Sequence, residues 1–152
     1  MIKVMNFKPE HIKDITLKDI YTDENHLETI VAIRNSHVQT LTSDGKPIAI
    51  VGMTKICKGV AEFWGLIGKE VKKVPHGFHR TILGIVAHLE KEMVLHRIQI
   101  IVLFEYAEGR KWVEKLGFKP ESVLQKYDSL GRNYIMYVRL NYWLLQEQLS
   151  RQ

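Results

Sequence analysis

The segment from Val60 to Phe118 constrains the possible folds of this chain more than any other. It contains, in order, a strand-like run, a basic connection, a long amphipathic helix, an apolar run and a short helix that ends at Gly117. A strand, a helix and a strand so close in sequence predict a right-handed crossover between two neighbouring parallel strands. The end of the first strand and the start of the long helix then face one small region, which suits a phosphate-bearing ligand.

Residue spacing sets the expected boundaries within this segment. Apolar side chains recur every three or four residues from Phe78 to Met93, as on one face of a helix that Pro75 can begin. The second strand is nearly all apolar, as is typical of a strand buried on both faces. Gly117 predicts a left-handed helix end. The predicted elements are strands at Val60–Ile67 and Arg97–Leu103, and helices at His76 to about His96 and at Ala107–Leu116.

Turn signals divide the rest of the chain. Asp44-Gly45 predicts a tight hairpin turn, because this pair tolerates the positive φ that such turns need. Residues 128–133 predict a second hairpin. Asp23 is a suitable N-cap for a helix. The other predicted elements are strands at Lys3–Phe7, Val38–Leu41, Pro47–Ile56, Ser122–Tyr127 and Tyr134–Leu140, helices that begin at Pro9 and Asp23, and a fraying polar tail at Gln146–Gln152.

Composition bounds the class of protein. With 152 residues, 45% hydrophobic and 26% charged, the chain is expected to form a folded domain, and this composition argues against disorder. We expect one domain over residues 1–145 and a polar tail over residues 146–152. No apolar run approaches about 18 residues, so no membrane span is expected. The single cysteine, Cys57, excludes an internal disulfide and fits a reducing, cytoplasmic compartment.

The basic charge balance favours an anionic partner. The formal net charge is +5 and the isoelectric point about 9.3, which fits either a phosphate-rich cofactor or nucleic acid. However, the sequence has no recognised nucleic-acid-reading motif, and its aromatic residues do not alternate with its cations. Glutamates such as Glu70, Glu90 and Glu92 also offer local partners. A basic module on nucleic acid therefore remains an alternative, but not the preferred one.

The element order and the segment Gly109–Phe118, with its Lys-Leu-Gly-Phe ending, resemble the GNAT superfamily of N-acyltransferases, which use acetyl-coenzyme A. The hairpin at residues 127–137 is similar to the last two strands of that family. The resemblance covers nearly the whole chain. It implies a single α/β (α+β) domain, with a mixed, mostly antiparallel sheet of about six or seven strands and helices on both faces.

The resemblance also implies an activity. The expected reaction moves an acetyl group from acetyl-coenzyme A to the amine of a small molecule or protein. The chain is also similar to short GNAT-like proteins of tailed phages, which would place it in the host cytoplasm or the virion. A catalytically silent, virion-associated interaction protein is the alternative. The last hairpin and Trp143 could mediate a homodimer.

The cofactor would bind where the long helix begins. In the family a phosphate loop with paired glycines precedes this helix, whereas here one glycine, Gly77, lies among several cations. A helix start offers amide groups and a positive dipole end to phosphates. A solvated basic loop that caps a core helix would have the same composition. The candidate cofactor-binding residues are Leu66, Ile67, Gly68, Lys69, Lys72, Lys73, His76, Gly77, His79, Arg80 and Arg110.

The catalytic candidates are Glu62 and Tyr106. Glu62 lies on the first parallel strand and could be the general base that an ammonium acceptor needs, or it could be an exposed strand residue. The family's frequent catalytic tyrosine corresponds to Val113, which cannot donate a proton. Tyr106, at the family's usual asparagine position, could reach the leaving thiolate or simply pack. No metal is expected, because the seven histidines form no zinc-binding motif.

Overall fold

The computed structural model describes residues 1–15 and 37–151, which belong to two compact units. Unit 1 consists of Met1–Thr54 and Phe63–Ile85, and unit 2 consists of Lys55–Glu62 and Val86–Gln152. The division therefore passes through one strand and one helix. The helix predicted to begin at Asp23 lies outside the described residues.

Seven strands form one mixed sheet in the order β1-β2-β3-β4-β5-β7-β6. Strands β4 and β5 pair in parallel, whereas β1–β2, β2–β3, β5–β7 and β6–β7 are antiparallel. This arrangement confirms the predicted α/β class and the mostly antiparallel sheet. The strands are β1 (Ile2–Asn6), β2 (Val38–Ser43), β3 (Lys46–Cys57), β4 (Val60–Ile67), β5 (Arg97–Leu103), β6 (Lys119–Leu124) and β7 (Tyr134–Leu140).

Three α-helices and two short 3-10 turns connect or follow these strands in the described ranges. The helices are α1 (Pro75–Glu92), α2 (Ala107–Lys115) and α3 (Tyr142–Ser150), and the 3-10 turns are Pro9–Ile12 and Lys69–Lys73. No helix in these ranges has the length and apolar character needed to cross a membrane. The turn at Lys69–Lys73 lies in the basic connection, for which no element was predicted.

Helix α1 ends earlier than predicted. The expected end near His96 is wrong, because Val94 adopts a left-handed conformation with φ of +53° and stops the helix after Glu92. The Leu95 N–H donates to the Glu90 carbonyl at 2.8 Å, and the Val94 N–H donates to the Lys91 carbonyl at 3.3 Å. These two bonds satisfy carbonyls that the helix would otherwise leave without partners.

The expected fraying of the tail is wrong for residues 146–150, which belong to helix α3. The Asn141 side chain caps this helix by accepting a hydrogen bond from the Leu144 N–H at 3.1 Å. Gln148 is only 9% exposed, and its amide donates to the Val94 carbonyl at 2.8 Å. Its other amide atom, Oε1, lies 2.8 Å from Nδ1 of His96. Polar residues therefore fasten this helix within unit 2.

In unit 1, a buried apolar cluster holds strand β4. The sequence predicts that Trp64 and Leu66 share one face of this strand, and both belong to the cluster. The Trp64 indole lies against β3 at Gly52. A side chain there would collide with the indole, since a Cβ built on Gly52 would lie 2.3 Å from the ring. Its N–H donates to Thr54 Oγ1 at 3.0 Å. The cluster comprises Ile12, Ile15, Ile50, Trp64 and Leu66.

Candidate active site

The parallel pairing between β4 and β5 is short. In the described part of the chain it comprises three pairs, Val60↔Arg97, Ala61↔Ile98 and Glu62↔Gln99. Strand β4 nevertheless continues to Ile67, and β5 continues to Leu103. On its other side β5 pairs with β7 over its full length. All three parallel pairs therefore join residues of unit 2.

The start of helix α1 in unit 1 leaves backbone donors available. The first helical hydrogen bond runs from the Phe78 N–H to the Val74 carbonyl, at 2.9 Å. Among the described residues, the N–H groups of His76 and Gly77 have no acceptor. A Cβ at Gly77 would meet only the Ile2 side chain, at an ordinary contact distance of 3.4 Å. This helix start therefore presents two amides and space above a glycine.

Several cations surround this helix start without carboxylate partners. The exposed side chains of Lys72, Lys73, His76 and Arg80 form no ion pair within the ranges that the structure describes. By contrast, Glu70 on the same 3-10 turn lies 4.0 Å from the ammonium of Lys46. Unneutralised positive charge beside a helix N-terminus favours an anion.

The other predicted cofactor residues of unit 1 have contacts within the protein. Lys69 and His79 interact with other groups of the chain. The Leu66 side chain belongs to the buried cluster, so only its backbone can meet a ligand. The Gly68 N–H donates to the Ile48 carbonyl at 2.9 Å, and its carbonyl accepts from the Val71 N–H at 3.3 Å. Because a Cβ at Gly68 would lie 2.6 Å from the Ile48 oxygen, this glycine permits a close approach to β3.

Glu62 lies in unit 2, at the last pair of the parallel register. Its side chain is half-buried, and its Oε1 accepts a hydrogen bond from Gln99 Nε2 at 3.4 Å. The carboxylate is thus held opposite β5 at the position where the parallel pairing stops. This placement suits a fixed base better than a mobile surface residue.

Tyr106 and Arg110 lie at the beginning of α2, also in unit 2. The Tyr106 ring is half-buried and rests on Gly109, where a Cβ would come within 2.4 Å of it. The Arg110 guanidinium carbon lies 5.0 Å from the centroid of the Phe104 ring. Arg110 Nε is buried and has no hydrogen-bond partner in the described residues. Val113, on the same helix, is 2% exposed and supplies no polar group.

The sequence did not single out Tyr137 as a neighbour of Arg110. Tyr137 lies on β7 and is 2% exposed. Burial raises the pKa of its hydroxyl, as does the negative charge of Glu114, while the nearby Arg110 guanidinium opposes this rise. The hydroxyl therefore stays protonated at neutral pH. The sequence places Tyr137 on the last predicted strand. No local sequence pattern, however, indicates that this tyrosine lies near an arginine of another element.

No group of three or more His, Cys, Asp or Glu side chains in the described part of the chain is arranged to hold a metal ion. The groups that the structure does offer are amides, cations, one half-buried carboxylate and a buried tyrosine. Of these, the amides and cations at the start of α1 in unit 1 suit an anionic ligand.

Comparisons with known proteins yield matches among solved structures. No protein-family model matches the sequence, and the search of curated proteins found no match. Ard1 from Thermoplasma volcanium superposes with a TM-score of 0.76 at 14% identity, covering 91% of this chain and 97% of that one. A GNAT-family acetyltransferase from Bacillus anthracis gives 0.71 at 16% identity, covering 91% and 94%. A mutant of the spermidine N-acetyltransferase SpeG from Vibrio cholerae gives 0.68 at 17% identity, covering 97% and 98%. At such low sequence identities, these superpositions show a shared fold and no more.

Proposed function

Because the chain has the fold of the GNAT N-acetyltransferases, we propose that it transfers an acetyl group from acetyl-coenzyme A to a primary amine. The observation that carries this proposal is the start of α1, where two amides without acceptors lie among cations without carboxylate partners. Acceptors named for the structural neighbours include spermidine, so small amines belong in the first assays. The protein is expected to act in the cytoplasm.

The residues at this helix start fit the phosphates of coenzyme A. The amides of His76 and Gly77 would donate to a phosphate oxygen, as helix N-termini do for anions. Lys72, Lys73 and Arg80 would add charge-assisted contacts to the pyrophosphate and the ribose phosphate. The backbone at Leu66 and Ile67 would lie along the pantetheine arm. A Cβ at Gly77 would meet only the Ile2 side chain within 4 Å, which supports an approach of the ligand to this backbone.

Acetyl-coenzyme A supplies a thioester, an acyl group that is already activated for attack by an amine. The contribution of the chain is to place the amine beside it and to remove a proton. Holding two reactants in the geometry of the reaction can lower the activation barrier by about 7–11 kcal/mol. Glu62 would accept the ammonium proton, directly or through a water, because an amine attacks only in its neutral form.

A catalytically silent protein of the same fold is the second candidate. Val113 favours it, because this buried valine stands where the resembled family often has a tyrosine acid. Such a protein can still bind coenzyme A. Release of free thiol from acetyl-coenzyme A in the presence of an amine separates the two candidates, since the silent protein binds without turnover.

Two glycines on helix α1 provide the test of the binding site. Gly77→Ala places a methyl group where the phosphate would approach, whereas Gly84→Ala adds one where nothing lies within 4 Å. Both changes favour the helix by up to about 1 kcal/mol, so both variants should fold at least as well as the wild type. We expect Gly77→Ala to weaken acetyl-coenzyme A binding about tenfold and Gly84→Ala to leave it unchanged. Equal affinities in calorimetry would place the phosphates elsewhere.

A further inference from the structure

Helix α3 in unit 2 exposes apolar side chains and buries a polar one. Its buried residues are Leu144 and Gln148. Its large exposed residues are Tyr142, Trp143 and Leu149, with exposed fractions of 70%, 69% and 57%. A helix at a protein surface ordinarily turns its polar side outward and its apolar side inward. Two exposed aromatic residues and a leucine on one short helix therefore need an explanation other than the packing of this domain.

These exposed side chains belong to one side of the helix. Tyr142, Gln146 and Leu149 follow one another at intervals of four and three residues, which places them on a common face. Trp143 lies beside Tyr142 and three residues before Gln146, so it adjoins this face. Tyrosine and tryptophan are enriched in protein interfaces. We call this surface the α3 face, and its residues are Tyr142, Trp143, Gln146 and Leu149, all exposed.

Polar contacts hold the α3 face in place from beneath. The Asn141 side chain caps the helix by accepting from the Leu144 N–H at 3.1 Å. On the inner side of the helix, the Gln148 amide donates to the Val94 carbonyl at 2.8 Å, and its Oε1 lies 2.8 Å from Nδ1 of His96. A surface that is already ordered loses less conformational entropy when a partner covers it, which favours association.

The charge of the α3 face decides between possible partners. None of its four residues is charged, although 26% of the chain is charged. The one charged residue within α3, Glu147, forms an ion pair with Arg151. Nucleic acid or an anionic membrane is met by lysine and arginine, which this face lacks. Two copies of the chain, each with a net charge of +5, can meet here without direct repulsion between charged side chains.

The α3 face also has the chemistry that an interface between identical chains needs. Such an interface joins the same surface of both copies, so the surface must be complementary to itself. The Tyr142 hydroxyl and the Gln146 amide each donate and accept hydrogen bonds, so either can pair with its counterpart in a second copy. Covering Tyr142 and Trp143 would bury roughly 200–350 Å² of the about 800 Å² that a stable interface takes from each partner.

We propose that the α3 face joins two copies of this chain into a homodimer, with Trp143 as its main contact. Strand β6, at the end of the described sheet, is a poorer contact for a second copy. Its register shifts between Pro120 and Ser122, and Pro120 has no N–H to offer to another strand. The dimer therefore forms through the helix and leaves the end of the sheet free.

Sedimentation velocity over a range of micromolar protein concentrations tests this proposal. The wild type should sediment as a dimer at the upper end of the range. Trp143→Glu should raise the dissociation constant at least about thirtyfold, because it removes an aromatic contact and brings two carboxylates together. The matched control is Leu130→Glu, which adds the same charge at a residue that is 63% exposed on the hairpin. It should dimerise as the wild type does.

Tryptophan fluorescence reports the same contact in the wild type alone, so a poorly folded variant does not block the test. Of the three tryptophans, Trp143 is exposed, whereas Trp64 is 8% exposed and Trp112 is half-buried. Quenching by acrylamide should therefore decrease as the protein concentration rises through the dissociation constant.

The inference is independent of the proposed acyl transfer. A wild type that sediments as a monomer at all concentrations overturns it, whether or not the protein transfers acetyl groups. A dimer that Trp143→Glu leaves intact, or that Leu130→Glu weakens equally, also overturns it. A monomer that co-sediments with phosphatidylcholine vesicles would assign the α3 face to a lipid surface and would equally refute the dimer.

Discussion

Two groups of cations, one in each unit, are used in opposite ways. In unit 2, Arg97 binds both oxygens of Glu121, at 2.8 and 2.7 Å, and Arg139 binds both oxygens of Glu90, at 2.9 and 3.2 Å. In unit 1, the exposed cations around the start of α1 have no carboxylate partner among the described residues. These cations are Lys72, Lys73, His76 and Arg80.

This difference separates structural charge from charge available to a ligand. A bidentate pair with a carboxylate fixes a side chain and neutralises it, so such an arginine stabilises the fold and offers little to an anion. Like charges without partners repel each other and contribute nothing to stability. Cations without carboxylate partners beside a helix N-terminus remain available to an anion, as the proposed function requires.

The largest expected effect is the loss of a structural pair. Arg139→Met leaves the Glu90 carboxylate, whose residue is 8% exposed, without its guanidinium. We expect the free energy of unfolding to fall by about 3 kcal/mol, measured by urea denaturation, because a mostly buried charge loses its partner. Acetyl-coenzyme A affinity of the folded fraction should not change. A loss of stability below about 0.5 kcal/mol would show that this pair is not structural.

The cations of unit 1 should show the reverse pattern. The triple variant Lys72→Gln, Lys73→Gln, Arg80→Gln should weaken acetyl-coenzyme A binding about thirtyfold, or roughly 2 kcal/mol, and leave the unfolding free energy unchanged. The matched control replaces three exposed lysines of unit 2 and removes the same charge. It should bind as the wild type does. The control lysines are Lys111, Lys115 and Lys119.

If the control loses as much affinity as the triple variant, only net charge matters, and the distinction between the two units fails. If instead the triple variant unfolds more easily than the wild type, its cations contribute to the fold and are not reserved for a ligand.

Two helix ends show what the sequence could and could not predict. Helices α1 and α2 end with the same pair of backbone hydrogen bonds and one left-handed residue. In α2 that residue is Gly117, which was recognised because glycine adopts positive φ without steric cost. In α1 it is Val94, and no sequence rule expects a β-branched residue there. The tertiary contacts around Leu95, which is 1% exposed, override the local preference.

The same contrast applies to the site. The nearly continuous apolar run predicted β5, and the turn signal at residues 128–133 predicted β7. The candidate cations near α1 were predicted because they are contiguous in sequence. The neighbourhood of Arg110 and Tyr137 could not be predicted, since it arises only when β7 inserts between β5 and β6. Helix α3 was missed because one of its two buried residues, Gln148, is polar.

A smaller effect is expected at Val94. Val94→Gly should stabilise the protein by about 1 kcal/mol, because valine pays a steric cost in the left-handed conformation that glycine does not. Gly117→Val at the equivalent position of α2 should destabilise by a similar or larger amount. Thermal unfolding of both variants measures this. Destabilisation by Val94→Gly would mean that contacts of the valine side chain outweigh its backbone strain.

The smallest effect concerns the hairpin before β7. Partial burial would raise the pKa of Asp128, but hydrogen bonds from the Arg132 backbone and guanidinium and from the Tyr134 hydroxyl outweigh it and lower the pKa to about 2. Because the folded pKa lies below the usual 3.8, the stabilisation is complete above about pH 5 and is lost progressively as the pH falls through 3.8 towards 2.

Asp128→Asn should therefore flatten the acid side of the melting-temperature profile between about pH 4 and 2, relative to the wild type. The difference in melting temperature should be constant above pH 5. If the melting-temperature profiles of the variant and the wild type stay parallel across the whole acid range, the contacts between Asp128 and Arg132 do not stabilise the folded protein.

The proposed function requires that the amides and unpaired cations at the start of α1 bind the phosphates of a coenzyme A thioester. Calorimetric titration of the wild-type chain with acetyl-coenzyme A tests it most directly. We expect saturable binding at one site per chain, weakened by added salt as contacts between charges are. The absence of any binding heat at millimolar acetyl-coenzyme A would contradict it.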